Sequence, residues 1–188
     1  MSVSRKERRR QEMLEQRRRR RLLIGIPAVI IVLLFSFLIY QRFLRPIEGV
    51  QEFGPQESGH DQDVVIEATG LPPVGGVHHP TWLNCGIYRE PVDLKHAIHS
   101  LEHGAVWLAY HPDLPADQVA ELEDRADNYT LVAPYPDLES PIVATAWGAQ
   151  LQLEDASDSN LDGFIRRYTG QGPEAGASCS GGTGTPLS

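Results

Sequence analysis

The most constraining feature of this chain is an uncharged apolar run from Leu22 to Tyr40. As a helix it would be about 28 Å long, close to the thickness of the hydrocarbon core of a bilayer. Pro27 stands near its start, where a missing backbone hydrogen bond costs least. A cleaved signal peptide would have a shorter apolar region and a small-residue cleavage site, whereas Gln41 and Arg42 follow here. The sequence therefore predicts a retained transmembrane signal-anchor over 22–40.

Charge is divided sharply on either side of this run. Residues 1–21 hold ten of the 17 Lys and Arg residues, whereas 22 of the 25 acidic residues lie from Pro46 onward. By the positive-inside rule, the basic tail 1–21 is predicted to be cytoplasmic and the acidic part extracytoplasmic. So acidic a domain is not expected to bind nucleic acid, whose affinity depends on neutralised phosphates. We therefore expect a single-pass protein of the cell membrane.

Composition divides the remainder of the chain into three predicted parts. Residues 41–58 form a juxtamembrane spacer, 59–170 an extracytoplasmic domain and 171–188 a flexible Gly/Ser-rich tail. The two cysteines, Cys85 and Cys179, both lie outside the membrane, where an oxidising environment favours a disulfide between them. A metal-binding thiolate at Cys85 is the alternative.

Periodic segments predict the order helix–strand–helix–strand–strand–helix. The predicted segments are 93–104, 105–110, 115–127, 129–133, 142–153 and a last helix capped at Ser159 or Asn160 and ended by Gly170. A further short strand is predicted at 64–66. Residues 142–153 are predicted to be one strand, with Val143 and Leu151 on the same face and a bulge at Gly148. The fold class is α+β, a small mostly antiparallel sheet with helices packed on it, preceded by one transmembrane helix.

The helix predicted over Asp93–Gly104 carries three histidines on one face. Its first residue can cap the N-terminus, and its last is a glycine, which adopts a positive φ without strain. At 100° per residue, His96, His99 and His103 fall within about 60° of one another, opposite the apolar face. Glu102 lies at the edge of this face. Imidazoles spaced four residues apart can bind one metal ion.

The histidines are concentrated outside the membrane, and six of the seven lie between His78 and His111. Imidazole and carboxylate ligands suit Zn²⁺ or copper. A methionine-lined copper site is excluded, because Met1 and Met13, the two methionines, lie in the cytoplasmic tail. The alternative is that the histidines are structural. A histidine at a helix C-terminus, for example, can interact favourably with the helix dipole. Residues 99–103 also match H-x-x-E-H, in which Glu102 would act as the base of a small zinc hydrolase.

Through a set of short motifs, the chain resembles a bacterial family that is known only as a domain of unknown function. Its members are typically membrane-anchored with the domain outside, and this chain resembles the actinobacterial kind. The resemblance covers about Val50 to Cys179, and it implies no activity. Its motifs are Gly59-His60, Pro72-Pro73-x-x-Gly76-x-His78, Asn84-Cys85-Gly86-x-Tyr88, His99-Ser100-Leu101-Glu102-His103-Gly104 and Ala146-Trp147-Gly148.

The resemblance sorts the histidines into two groups. His60, His78, His99 and His103 stand on motif positions, whereas the other three, His79, His96 and His111, do not. The leading hypothesis is therefore a Zn or Cu ion bound by the first four, with Glu102 orienting an imidazole or acting as a base. One alternative is a non-catalytic interaction domain of an envelope complex, with an envelope protein as its partner, in which the histidines are structural. The other is the small zinc hydrolase.

Overall fold

A computed structural model describes residues 5–40 and 45–187 of the chain. The chain divides into two compact units, 1–46 and 47–188. The first unit contains helix α1, Arg5–Ile39, which extends through the basic tail and the apolar run. Among the described residues, this helix is the one that is long and apolar enough to cross a membrane. Its orientation, like the limits of the spacer, domain and tail, stays a prediction.

The second unit is a mixed sheet with three helices. Its helices are α2 (Leu94–Glu102), α3 (Ala116–Glu123) and α4 (Ser159–Tyr168), and its strands are β1 (Val50–Glu52), β2 (Ser58–His60), β3 (Gly76–His78), β4 (Gly86–Ile87), β5 (Val106–Tyr110), β6 (Thr130–Pro134), β7 (Ile142–Ala146) and β8 (Ala149–Leu153). The main sheet has the order β1-β8-β7-β5-β6-β4, and β2 pairs with β3 in a separate ribbon. In the main sheet, β5–β6 and β6–β4 are parallel and the other three pairs are antiparallel. The α+β prediction is confirmed.

The central strands are buried on both faces, because helices cover the sheet from either side. Along β5 the side chains alternate, so that Val106 joins one core cluster and Trp107 joins the other. The cluster of Val106 includes Leu122 of α3 and Phe164 of α4. The cluster of Trp107 includes Leu101 of α2. This double burial explains why β5 is a continuous apolar run. Among the helices that the structure describes, α2 is the one that packs on its face of the sheet.

The single strand predicted over 142–153 is wrong, because the chain turns back at Gly148. Ala146 pairs with Ala149 in an antiparallel hairpin, and Gly148 has a φ of 70° between them. The turn changes the alternation, so Val143 packs on the side of α2 whereas Leu151 packs on the side of α4. A glycine in a strand pattern is compatible with a bulge or a turn, and here the turn forms.

Two other local predictions need correction. Residues 64–66 form no strand: they follow a turn in which the carboxylate of Asp61 accepts the N–H of Asp63 at 2.9 Å, and Val65 is 85% exposed rather than packed against the sheet. Helix α4 is capped by Asp158, whose carboxylate accepts the N–H of Asn160 at 2.8 Å, rather than by Ser159 or Asn160. Helix α2 begins after Asp93 as predicted, and that carboxylate bonds a backbone N–H of the first turn.

The last residues of the chain are bonded to the segment before α2. Cys85 and Cys179 form the predicted disulfide, with Cα atoms 5.4 Å apart. Backbone N–H groups of Thr183 and Leu187 donate to the carbonyls of Trp82 and Ile87 at 2.9 and 2.8 Å. The cross-link and these hydrogen bonds together fix the tail beside β4.

Candidate metal centre

Helix α2 is buried on two opposite sides, and one of these is the side that carries histidines. Leu94 and Leu101 pack into the core beneath the sheet. On the opposite side, His99, Glu102 and His103 are also almost completely buried. Buried charged or titratable groups require partners, so this face has to be satisfied by other polar groups.

The β2–β3 ribbon supplies two further imidazoles to this face. The two strands are parallel, and their register pairs His60 directly with His78. His78 is completely buried, whereas 40% of the His60 side chain is exposed. The ribbon packs against α2, and the ring centroids of His60 and His99 lie 4.7 Å apart with nearly parallel planes. The ribbon thereby brings His60 and His78, which are distant from α2 in the sequence, to the histidine side of this helix.

Four side chains converge at this point on one small volume. The Oε2 atom of Glu102 lies 2.9 Å from Nε2 of His78 and 3.2 Å from Nε2 of His60. One nitrogen or oxygen from each of His60, His78, His99 and Glu102 lies within 4.8 Å of all the others. We call these four residues the inner cluster. Buried imidazole and carboxylate groups at this spacing are able to hold a metal ion.

The buried histidines are all oriented in the same way. In each ring Nδ1 lies 2.7 Å from a backbone carbonyl oxygen, which only accepts hydrogen bonds. In the neutral ring the proton must therefore reside on Nδ1, and Nε2 then carries a lone pair that points away from the carbonyl. Metal-binding histidines are commonly held by such a bond. The three bonds run from His78 to Gly76, from His99 to His79 and from His103 to Ser178.

This orientation leaves a specific contact that lacks a donor. With its proton on Nδ1, a neutral His78 presents a lone pair on Nε2 to the carboxylate of Glu102, and both groups are acceptors. Two buried acceptors 2.9 Å apart require a cation between them, either a proton or a metal ion.

The electrostatic surroundings favour neutral imidazole at the centre of the cluster. Burial lowers the pKa of His99, and the neighbouring His103, His78 and His60 lower it further. The hydrogen bond to the carbonyl of His79 opposes this change in part. Neutral imidazole is the form that binds metal ions, so His99 is held in that form at neutral pH.

A second group adjoins the inner cluster and shares one residue with it. Ligand atoms of His99, His103 and Glu174 all lie within 4.8 Å of one another. Nε2 of His103 is 3.5 Å from the Glu174 carboxylate, whose side chain is 49% exposed. The ring of Trp82 packs beside His103, with centroids 4.9 Å apart. We call the three potential ligands His99, His103 and Glu174 the outer cluster.

The structure thus brings together all four predicted ligands, but in two overlapping groups. His60, His78 and His99 are in the inner cluster, and His103 is in the outer one. Glu102, predicted to orient an imidazole or act as a base, has its carboxylate among the inner ligand atoms.

Glu174 was missed from the sequence, because it is an acidic residue in a Gly-rich segment with no periodic pattern. Glu174 lies close to α2 because the tail folds back onto the domain. In the sequence, only the nearby Cys179 indicates that the tail does so. The remaining histidines lie elsewhere. The rings of His79 and His96 pack on each other with centroids 4.4 Å apart, and His111 accepts the N–H of Asp113.

Comparison with known families agrees with the extent of this site. Residues 60–181 match a family model described as Protein of unknown function (DUF3105). The chain belongs to this family. The matched range contains every residue of both clusters and both cysteines. No curated protein matches the chain, and no solved structure matches it. The family carries no assigned activity, so function has to be argued from the site.

Proposed function

We propose that this chain is a membrane-anchored extracytoplasmic protein that binds one transition metal ion, Zn²⁺ or copper, in the inner cluster. The observation that carries the proposal is the contact of His78 with Glu102. With its proton on Nδ1, a neutral His78 leaves two buried acceptors 2.9 Å apart, and a metal ion between them would satisfy both. The disulfide supports an oxidising compartment outside the membrane.

The donor set and its spacing also suit such an ion. Three imidazole nitrogens and one carboxylate oxygen form a ligand set that Zn²⁺ accepts in tetrahedral geometry and that Cu²⁺ binds tightly. Bonds of about 2.0–2.1 Å separate neighbouring donor atoms of a tetrahedron by roughly 3.3 Å. The contacts of Glu102 with His78 and His60, 2.9 and 3.2 Å, are close to this value. These two contacts therefore suit donors to one ion, and the remaining donor atoms, which all lie within 4.8 Å of one another, would move inward to complete the set.

The role of Glu102 distinguishes this proposal from a zinc hydrolase. In an H-x-x-E-H hydrolase, His99 and His103 would bind the metal, and Glu102 would remain free to activate a water molecule. Here the carboxylate contacts His60 and His78 instead. That position favours Glu102 as a ligand over Glu102 as a base.

Metal content of the full-length protein tests the proposal. The protein is purified in detergent without chelators or a histidine tag, and bound metals are quantified by mass spectrometry. We expect about one equivalent of zinc or copper. The ion should be lost in His78→Ala and in Glu102→Gln. The control variant His111→Ala should retain it, because His111 lies outside both clusters.

The other outcomes have defined meanings. Absence of metal, together with no uptake on titration with Zn²⁺ and Cu²⁺, would refute the proposal and favour structural histidines in an interaction domain. Retention of metal in Glu102→Gln, with loss of hydrolysis of ester or peptide substrates, would favour the hydrolase.

A further inference from the structure

The outer cluster provides a second set of ligands that ends at the protein surface. We propose, on the basis of the metal-binding function above, that Glu174 and His103 capture the incoming ion and pass it through His99 to the inner cluster. The outer cluster is thus an entry site for a transition metal cation rather than a second permanent metal site.

His99 links the two clusters and prevents them from being filled independently. Its Nδ1 is bound to the carbonyl of His79, so Nε2 is the nitrogen that it offers to either group. One lone pair binds one ion at a time. An ion bound by His99, His103 and Glu174 therefore excludes an ion bound by His99 in the inner cluster, and the two arrangements become successive positions of a single ion.

The outer pair repeats the contact that characterises the inner cluster. His103 donates from Nδ1 to the carbonyl of Ser178, so its Nε2 lone pair faces the Glu174 carboxylate, 3.5 Å away. His103 is 3% exposed, and Glu174 is 49% exposed. A buried acceptor thus faces a carboxylate that reaches solvent, and a cation arriving from solvent would meet the carboxylate first.

Backbone contacts fix Glu174 at this position rather than leaving it on a free tail. Its N–H donates to the carbonyl of Glu102 at 3.0 Å, at the end of α2. A side chain at Gly172 would collide with the same carbonyl oxygen, so the close approach requires glycine there. Glu102 thereby joins the two clusters, because its carboxylate belongs to the inner one and its backbone holds the outer one.

The transfer itself is an exchange of ligands with no change of oxidation state. The ion keeps its bond to His99, releases Glu174 and His103, and gains Glu102 with His78 and His60. Both positions then hold the ion by nitrogen and oxygen donors of the same kind. Exit follows the same steps in reverse, so the entry site should accelerate binding and release equally and leave the dissociation constant unchanged.

Uptake of Cu²⁺ by the full-length protein in detergent tests this inference. At a given site of nitrogen and oxygen ligands Cu²⁺ binds more tightly than Zn²⁺, so it is a suitable probe whichever ion is native. Cu²⁺ quenches nearby tryptophan fluorescence, and each cluster has a reporter. Trp82 packs beside His103, and Trp147 lies with its ring 5.9 Å from His78. Trp82→Phe keeps the buried Trp107 as well as Trp147, and of these two it is Trp147 whose ring packs against the inner cluster. Stopped-flow mixing of this variant then follows arrival at the inner cluster through the quenching of Trp147.

The expected result is a slower arrival without a change at equilibrium. Glu174→Gln in the Trp82→Phe background should reduce the uptake rate at least about tenfold, the lower end of the effect of a charged cleft on association. Stoichiometry and dissociation constant should be those of the parent. Glu90→Gln, which removes the same charge from an exposed residue outside both clusters, should bind at the parental rate.

Two results would overturn the inference and leave the proposed function intact. Uptake by Glu174→Gln at the parental rate would mean that the ion enters beside the exposed edge of His60. Loss of bound Cu²⁺ at equilibrium in the same variant would make Glu174 a permanent ligand. Failure of the parent protein to bind Cu²⁺ at all would instead refute the metal-binding proposal.

Discussion

The disulfide between Cys85 and Cys179 should contribute a large share of the stability of the second unit. It joins residues 94 positions apart in the sequence. For a loop of this length, chain-entropy reasoning gives about 4–5 kcal/mol of stabilisation through the unfolded state. Domains are typically stable by only about 5–15 kcal/mol, so reduction should bring this unit close to the unfolding threshold.

Urea unfolding of the full-length protein, with and without a reductant, measures this contribution. All three tryptophans lie after residue 46, so their fluorescence reports on the second unit alone. We expect the midpoint to fall and the free energy of unfolding to decrease by about 4–5 kcal/mol. Cys85→Ala/Cys179→Ala should behave as the reduced protein does, which controls for effects of the reductant.

Hydrogen exchange adds a local readout of the same perturbation. In the reduced protein the amides of Thr183 and Leu187, which bond to Trp82 and Ile87, should exchange before the amides of β5. A decrease in unfolding free energy below about 1 kcal/mol, with protection at these amides unchanged, would refute the reasoning. It would show that the backbone hydrogen bonds hold the tail without the cross-link.

Three further perturbations probe the fold around the site. Ser100→Ala removes the donor to the buried carbonyl of Leu83, a 2.6 Å bond, and should lower the free energy of unfolding by about 1–3 kcal/mol in the same urea assay. Phe164→Ala removes a completely buried ring from the core beneath α4 and should cost about 3–5 kcal/mol; a loss below about 1 kcal/mol would contradict the packing. Burial raises the pKa of Tyr88 to about 12, above its ordinary value of 10.0. The folded state therefore favours the protonated phenol, and this stability is fully present below pH 10 and is lost as pH rises from 10 to 12. Thermal unfolding across this range should show a shallower decline in Tyr88→Phe; an identical decline would contradict the assignment.

The features that the sequence predicted well are those whose signals are local. Helix α2 follows from the apolar spacing of its residues, from the N-cap Asp93 and from Gly104, all within one short segment. The strand β5 follows from a continuous apolar run, because helices bury both of its faces. Helix α2 is determined by interactions within its own segment, and β5 is determined by how deeply the whole segment is buried. Both can be predicted from the pattern of apolar residues alone.

The features that could not be predicted depend on pairing between distant residues. The meeting of His60 with His78 is created by two strands of three residues each, in segments rich in glycine and proline. No periodic pattern marks strands this short, and His60 was identified only through the resemblance to a family. The hairpin at Gly148 was mistaken for a bulge because both place a glycine within an apolar alternation, and only the pairing of β7 with β8 distinguishes them.

The tail also protects the sheet from self-association. Strand β4 has only two residues and lies at the edge of the main sheet, where unpaired backbone groups attract strands of other molecules. Leu187 forms an antiparallel bridge to Ile87 on this strand and occupies that edge. A chain truncated before Cys179 would lose this cover together with the disulfide. We therefore expect such a chain to form oligomers or aggregates through β4, at concentrations where the full-length protein stays dispersed.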